Sequence, residues 1–152
     1  MSAIHINQDH APVLVVFWKG TATDDEFDVF LDIMSGVLDA QEPHAFVFDA
    51  SEANPAPTKQ QRRMGAWMKV NKERIKLYSC GASLVFPSPF FRFALSALFM
   101  IQPMPVPYLV CATRMEAISW AKDQVSATQI AALSARDRMS PSSHRRSGVR
   151  FG

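Results

Sequence analysis

The sequence predicts a single α/β domain built on a mainly parallel sheet, with an N-terminal antiparallel strand and four helices. Apolar runs of strand length recur along the chain, and a hydroxyl residue able to cap a helix follows shortly after each. Thr23-Asp24-Asp25-Glu26, Thr58-Lys59-Gln60-Gln61 and Thr113-Arg114-Met115-Glu116 all put Glu or Gln three residues after Thr, the spacing of a capping box. Ser88-Pro89 adds a cap followed by proline at the favoured first helical position. At 152 residues with 48% apolar side chains, the chain is long enough for one real core and too short for two ordinary domains.

Ile4–Gln8 and Val13–Lys19 read as two strands joined by the turn-like Asp9-His10-Ala11-Pro12, a plausible hairpin. After the cap at Thr23, an acidic first turn complements the helix dipole, and Phe27, Phe30, Leu31, Met34, Val37 and Leu38 recur at three- and four-residue spacing. That stripe must face the sheet. Ala45–Phe48 ends at Asp49 and leads into a loop rich in Ser, Asn and Pro through Pro57, as a buried parallel strand would. A second helix from Thr58 places Met64, Trp67, Met68, Asn71 and Ile75 on one side and bases on the other. Tyr78–Phe86, nearly all apolar, reads as a central strand closed by Pro87, and a third helix from Ser88 runs to Ile101. Pro103, Pro105 and Pro107 forbid further helix, Tyr108–Ala112 is the last strand, and the helix capped at Thr113 is expected to bury Met115, Ile118 and Trp120. Beyond Gln124 the helix can continue to 139, but Ser140–Gly148 cannot bury enough apolar surface to offset chain entropy and is expected to be disordered.

Charge is segregated. Residues 1–56 hold ten acids against Lys19, whereas residues 57–76 hold Lys59, Arg62, Arg63, Lys69, Lys72, Arg74 and Lys76 against Glu73. Two readings follow: neighbouring helices attract each other weakly across their solvated faces, or the basic face recruits an anionic partner. Nucleic acid is a poor candidate, because the basic stretch lacks aromatic interleaving. Cys80 and Cys111 sit in different apolar runs without CxxC spacing and read as buried thiols in a reducing, cytoplasmic setting. No segment approaches the roughly 20 apolar residues of a membrane span, and a basic start leading into an apolar signal segment is absent.

Catalytic chemistry has little support. The four histidines are far apart with no ligand spacing, so neither a metal nor another cofactor is expected, and Ser83 lies mid-strand rather than on a nucleophile turn. The segment from Phe90 to Ile101 is apolar nearly all round, yet at about 20 Å it is too short to cross a bilayer. Its outward side must meet the tail, a second copy, a partner protein or a lipid.

The order of elements, with Asp49-Ala50-Ser51 ending a strand, resembles the STAS domain, the fold of anti-sigma factor antagonists, and the related CRAL-TRIO lipid carriers. More narrowly, Pro57-Thr58 with Gln61-Arg62-Arg63, Trp67-Met68, Pro87-Ser88 with Arg92, Gln102-Pro103-Met104-Pro105 and Glu116-Ala117 with Trp120-Ala121 are similar to small bacterial STAS-like proteins. The resemblance implies a STAS-like βα superhelix over residues 1–124, followed by an extension, 125–152, that starts helical and becomes a basic tail. It also implies a non-enzymatic regulatory or scaffolding module that binds a partner protein in bacterial signalling. Such antagonists carry a phosphorylatable Ser or Thr at the start of the helix after the Asp-x-Ser strand, a position Thr58 occupies here. The family's Asp-Ser-Ser-Gly-Leu-Gly signature is replaced by Asn54-Pro55-Ala56-Pro57-Thr58-Lys59. The expected contact residues are Ser51, Thr58, Arg62 and Arg63 at the second helix, and Phe91, Leu95 and Phe99 on the third. Self-association is a variant of this reading, and the alternative is a small lipid or apolar-ligand binder gated by the third helix.

Overall fold

In the computed structural model, five strands stand side by side in chain order. It describes residues 3–101 and 103–139, with the backbone alone for Phe91, Ala94, Leu95, Leu98 and Ile101. β1 (Ile4–Asn7) pairs antiparallel with β2 (Val13–Gly20), and β3 (His44–Ala53), β4 (Ser79–Val85) and β5 (Tyr108–Cys111) continue the sheet in parallel. This is the mixed sheet read from the sequence. Between the parallel strands lie α1 (Asp24–Asp39), then α2 (Thr58–Val70) with α3 (Lys72–Tyr78), then α4 (Pro89–Ile101); α5 (Arg114–Met139) follows β5.

The two-residue period of the strands distributes the core over two faces. Leu14, Val16 and Phe46 pack with Phe27, Phe30 and Met34 of α1, and Met64 and Trp67 of α2 join them. Val13, Val15, Ala45 and Val47 point the other way, against Ala117, Ala121 and Val125 of α5. α1, α2 and α3 pack on the first face, the side to which right-handed crossovers between successive parallel strands lead. The second face is left to α5. The two thiols, Cys80 and Cys111, are both buried there.

Local signals hold at some helix starts and fail at another. Thr23 forms the full capping box: its hydroxyl accepts from the Glu26 amide at 3.1 Å, and the Glu26 carboxylate accepts from the Thr23 amide at 3.4 Å. Thr113 caps α5 through the Glu116 amide at 3.3 Å. Thr58 does not cap α2. It is already the first helical residue, Pro57 holds the cap position, and no side chain caps the helix. Pro57 has the fixed φ that suits a helix boundary and keeps the residue before it extended, which moves the start one residue on; Gln61 instead donates to the Ala56 carbonyl at 2.7 Å. The second predicted helix is divided at Asn71, whose amide side chain donates to the Trp67 carbonyl at 2.9 Å.

Gly81 faces α5 at a close approach: a Cβ there would lie 3.0 Å from the Trp120 ring and 3.2 Å from the Pro107 carbonyl oxygen. α5 runs to Met139 without a break, its last buried residue being Val125, so the expected boundary near residue 124 falls inside a continuous helix. The tail from 140 to 152 lies outside the described residues.

Candidate functional site

Asp49 is the one buried carboxylate among the described residues. It lies on β3 with the parity of Ala45 and Val47, is only 4% exposed, and therefore needs partners for its charge. Burial alone would raise its carboxyl, but three hydrogen bonds outweigh that effect and hold it below the usual carboxylate range. Ser51 gives its hydroxyl at 2.6 Å and its amide at 3.0 Å, and Arg114 Nε gives the third at 2.7 Å. The Arg114 guanidinium lies 5.0 Å from the Phe17 ring centroid, so one cation ties β3, β2 and the first residue of α5 together. Of the predicted contact residues, Ser51 is thus exposed but has its hydroxyl committed to Asp49. Arg114 was not singled out by the sequence. It stands 65 positions from Asp49, and no local pattern links the two.

Thr58 is exposed at the start of α2, beside residues that knit α2 to α1. Gln60, 2% exposed, donates to the Ala22 carbonyl at 2.8 Å, and Lys59 bridges to Asp24 at 3.0 Å. The Lys59 hydrogen bond leads the effects that lower the Asp24 carboxyl. Arg63 bridges to Asp28 at 2.5 Å, and Arg74 pairs with Asp39. All three pairs join residues 35 apart, which means α1 and the α2–α3 pair run side by side in the same direction. The weak-attraction reading therefore describes Lys59, Arg63 and Arg74. Arg62, Lys69, Lys72 and Lys76 are exposed and no such pair is formed by them among the described residues.

α4 presents apolar side chains to solvent. Phe90, Phe93 and Met100 are 72%, 75% and 84% exposed, at spacings of three and seven that share a helix face, with exposed Ala97 between them. Phe99 turns the other way and meets Tyr108 edge to face at 4.7 Å, half-buried. Arg92 turns back to donate to the Phe86 and Pro87 carbonyls at 2.8 Å each, which fixes the entry into the helix. The side chains of Phe91 and Leu95 lie outside the described residues. Sequence periodicity alone could not separate Phe99 from Phe93, because both flank a nearly uniform apolar surface.

Among the described residues, no group of three or more His, Cys, Asp or Glu side chains is arranged to hold a metal ion, and no helix is long and apolar enough to cross a membrane. His44 is buried at the start of β3, with Nδ1 donating to the Glu42 carbonyl at 3.0 Å. Its Nε2 has no hydrogen-bond partner among the described residues, and burial lowers its pKa, so the ring is neutral.

No protein-family profile matches the sequence, and no curated protein matches it either. Solved structures do match by fold. A DUF3478-family protein with a SpoIIAA-like fold from Shewanella loihica PV-4 superposes with a TM-score of 0.60 at 12% identity, covering 78% of this chain and 92% of that one. An anti-sigma factor antagonist from Mycobacterium paratuberculosis gives 0.50 at 17% identity, covering 80% and 99%. A chain of the Pseudomonas aeruginosa complex of the diguanylate cyclase SiaD with its activator SiaC gives 0.53 at 17% identity, covering 74% and 93%. The chain has a STAS-like fold, the SpoIIAA-like arrangement of a five-stranded mixed sheet and flanking helices.

Proposed function

We propose that this protein is a non-enzymatic regulatory module of bacterial cytoplasmic signalling that binds a partner protein. The observation that carries the reading is the row of Phe90, Phe93 and Met100 standing in solvent on α4, since apolar clusters of this kind commonly mark interaction sites. The fold supports it by analogy, because structures that share it include an anti-sigma factor antagonist and the complex of a cyclase with its activator. The corner of Ser51, Thr58 and Arg62 is the regulatory end. A phosphate on the exposed Thr58 hydroxyl would sit at a helix N-terminus one turn from Arg62, where negative charge is favoured, whereas Arg63 is occupied by Asp28.

The test compares the wild type with a Phe93→Asp/Met100→Asp variant, each purified from the native host with crosslinking and followed by native mass spectrometry and a melting curve. Loss of a specific protein partner at unchanged Tm is the expected result. A retained lipid that the variant loses would replace the protein partner with an apolar ligand, and unfolding of the variant would show the face to be core. Intact-mass analysis across growth conditions decides the Thr58 switch: a chain that never carries a phosphate there removes it.

A further inference from the structure

We infer that the solvent face of the α2–α3 pair is a docking surface for a membrane rich in anionic phospholipid. Asn71 divides the two helices without breaking the ladder of backbone bonds: its amide donates to the Trp67 carbonyl at 3.0 Å, and its carbonyl accepts from the Ile75 amide at 2.9 Å. The helical period therefore runs through the joint. Trp67 and Ile75 turn inward to the core, and Arg62, Lys69, Glu73 and Lys76, spaced by seven, four and three, share the opposite side with Lys72 beside them. All five are exposed. Alongside this row stand Val70 and Leu77, 83% and 71% exposed and two helical turns apart.

Charge complementarity sets the chemistry of the occupant. Asp24, Asp28 and Asp39 of α1 are bonded to Lys59, Arg63 and Arg74, on the flank turned toward α1. No ion pair among the described residues engages Arg62, Lys69, Lys72 or Lys76, and Glu73 is the one acid in residues 58–78. The surplus of positive charge is open to an outside anion. The aliphatic pair selects a bilayer over an acidic protein. Side chains this exposed project from a convex helix instead of lining a hollow, and a fluid layer of headgroups receives projecting groups without a preformed pocket. Lysine stems lie along the apolar strip while their ammonium groups reach the phosphates. Each base adds roughly a fivefold gain at an anionic surface, and the aliphatic groups add to it by leaving water. α4 lacks this combination, because Arg92, its one charged residue, is turned back to the Phe86 and Pro87 carbonyls. The two surfaces are separate, so the α4 variants described above leave this one unchanged.

The full chain is mixed with vesicles of phosphatidylcholine alone, or of phosphatidylcholine with an equal part of phosphatidylglycerol, and the fraction that sediments with them is measured. Binding to the anionic vesicles alone, falling as salt is raised, is expected. Lys69→Glu/Lys76→Glu should weaken it by about tenfold or more at unchanged Tm, and Val70→Ser/Leu77→Ser should weaken it several-fold. Glu73→Lys should strengthen it by about fivefold or more, a gain that loss of folding at unchanged Tm does not explain. The proposal fails if the anionic vesicles leave the chain in solution, or if Lys69→Glu/Lys76→Glu binds as the wild type does. It fails equally if phosphatidylcholine alone binds as well, the result that insertion through α4 would give. Loss of binding in Arg145→Glu/Arg146→Glu, with the lysine variant still bound, assigns the contact to the tail and overturns it. Polyglutamate that shifts the amide signals of residues 69–77 while vesicles do not assigns the face to an acidic protein, and overturns it too.

Discussion

A buried carboxylate is tolerable only when its lone pairs are occupied, and Asp49 meets that requirement with groups from two distant parts of the chain. Arg114→Ala removes one of them and should lower stability by about 1–2 kcal/mol, less than a fully buried pair because the guanidinium is half exposed, as read by urea unfolding. The folded Asp49 carboxyl lies below its ordinary value of 3.8, so its contribution is complete above that value and disappears as pH falls through the lower folded one. His44 acts at milder acidity. Its folded pKa is below the ordinary 6.5, so the unfolded chain takes up the proton first, and stability is full above 6.5 and falls as pH drops below it. His44→Phe should flatten that part of the stability–pH curve. At this scale the sequence was half legible: Asp49-Ala50-Ser51 marked a strand end, but nothing near it pointed to Arg114, because the pairing exists only once α5 has crossed the sheet.

Helix starts separate what local sequence decides from what its neighbours decide. The capping pattern is the same at Thr23 and Thr58, yet only Thr23 forms the box, because Pro57 takes the boundary at α2. Thr23→Ala should therefore cost about 1 kcal/mol, whereas Thr58→Ala should change the denaturation midpoint little. The same contrast runs along α4. Phe99→Asp puts a carboxylate against the Tyr108 ring and should lower Tm clearly, while Phe93→Asp, on the exposed face, should leave Tm within a degree or two. Periodicity announced α4 as apolar all round, and which of its aromatics touches the sheet depended on where β5 lies, a fact no window of sequence contains.

For the molecule as a whole, the alternation of apolar runs and caps was sufficient to predict the layered α/β arrangement, because short crossovers between parallel strands leave few topologies open. The role of α5 was less legible. Its first half packs against four strands, while residues 126–139 continue as helix with nearly every described side chain exposed. Amide exchange should divide the helix accordingly, with residues 126–139 exchanging much faster than 114–125, since a helical stretch without packing is marginal in water. The order of strands in the sheet has a consequence for biosynthesis. Each strand from β2 onward leaves the ribosome beside a neighbour already made, so the sheet can grow during translation without waiting for distant sequence. Its second face is the exception: a nascent chain stalled before Arg114 displays Val13, Val15, Ala45 and Val47 uncovered, a ready substrate for chaperones until the final helix is synthesised.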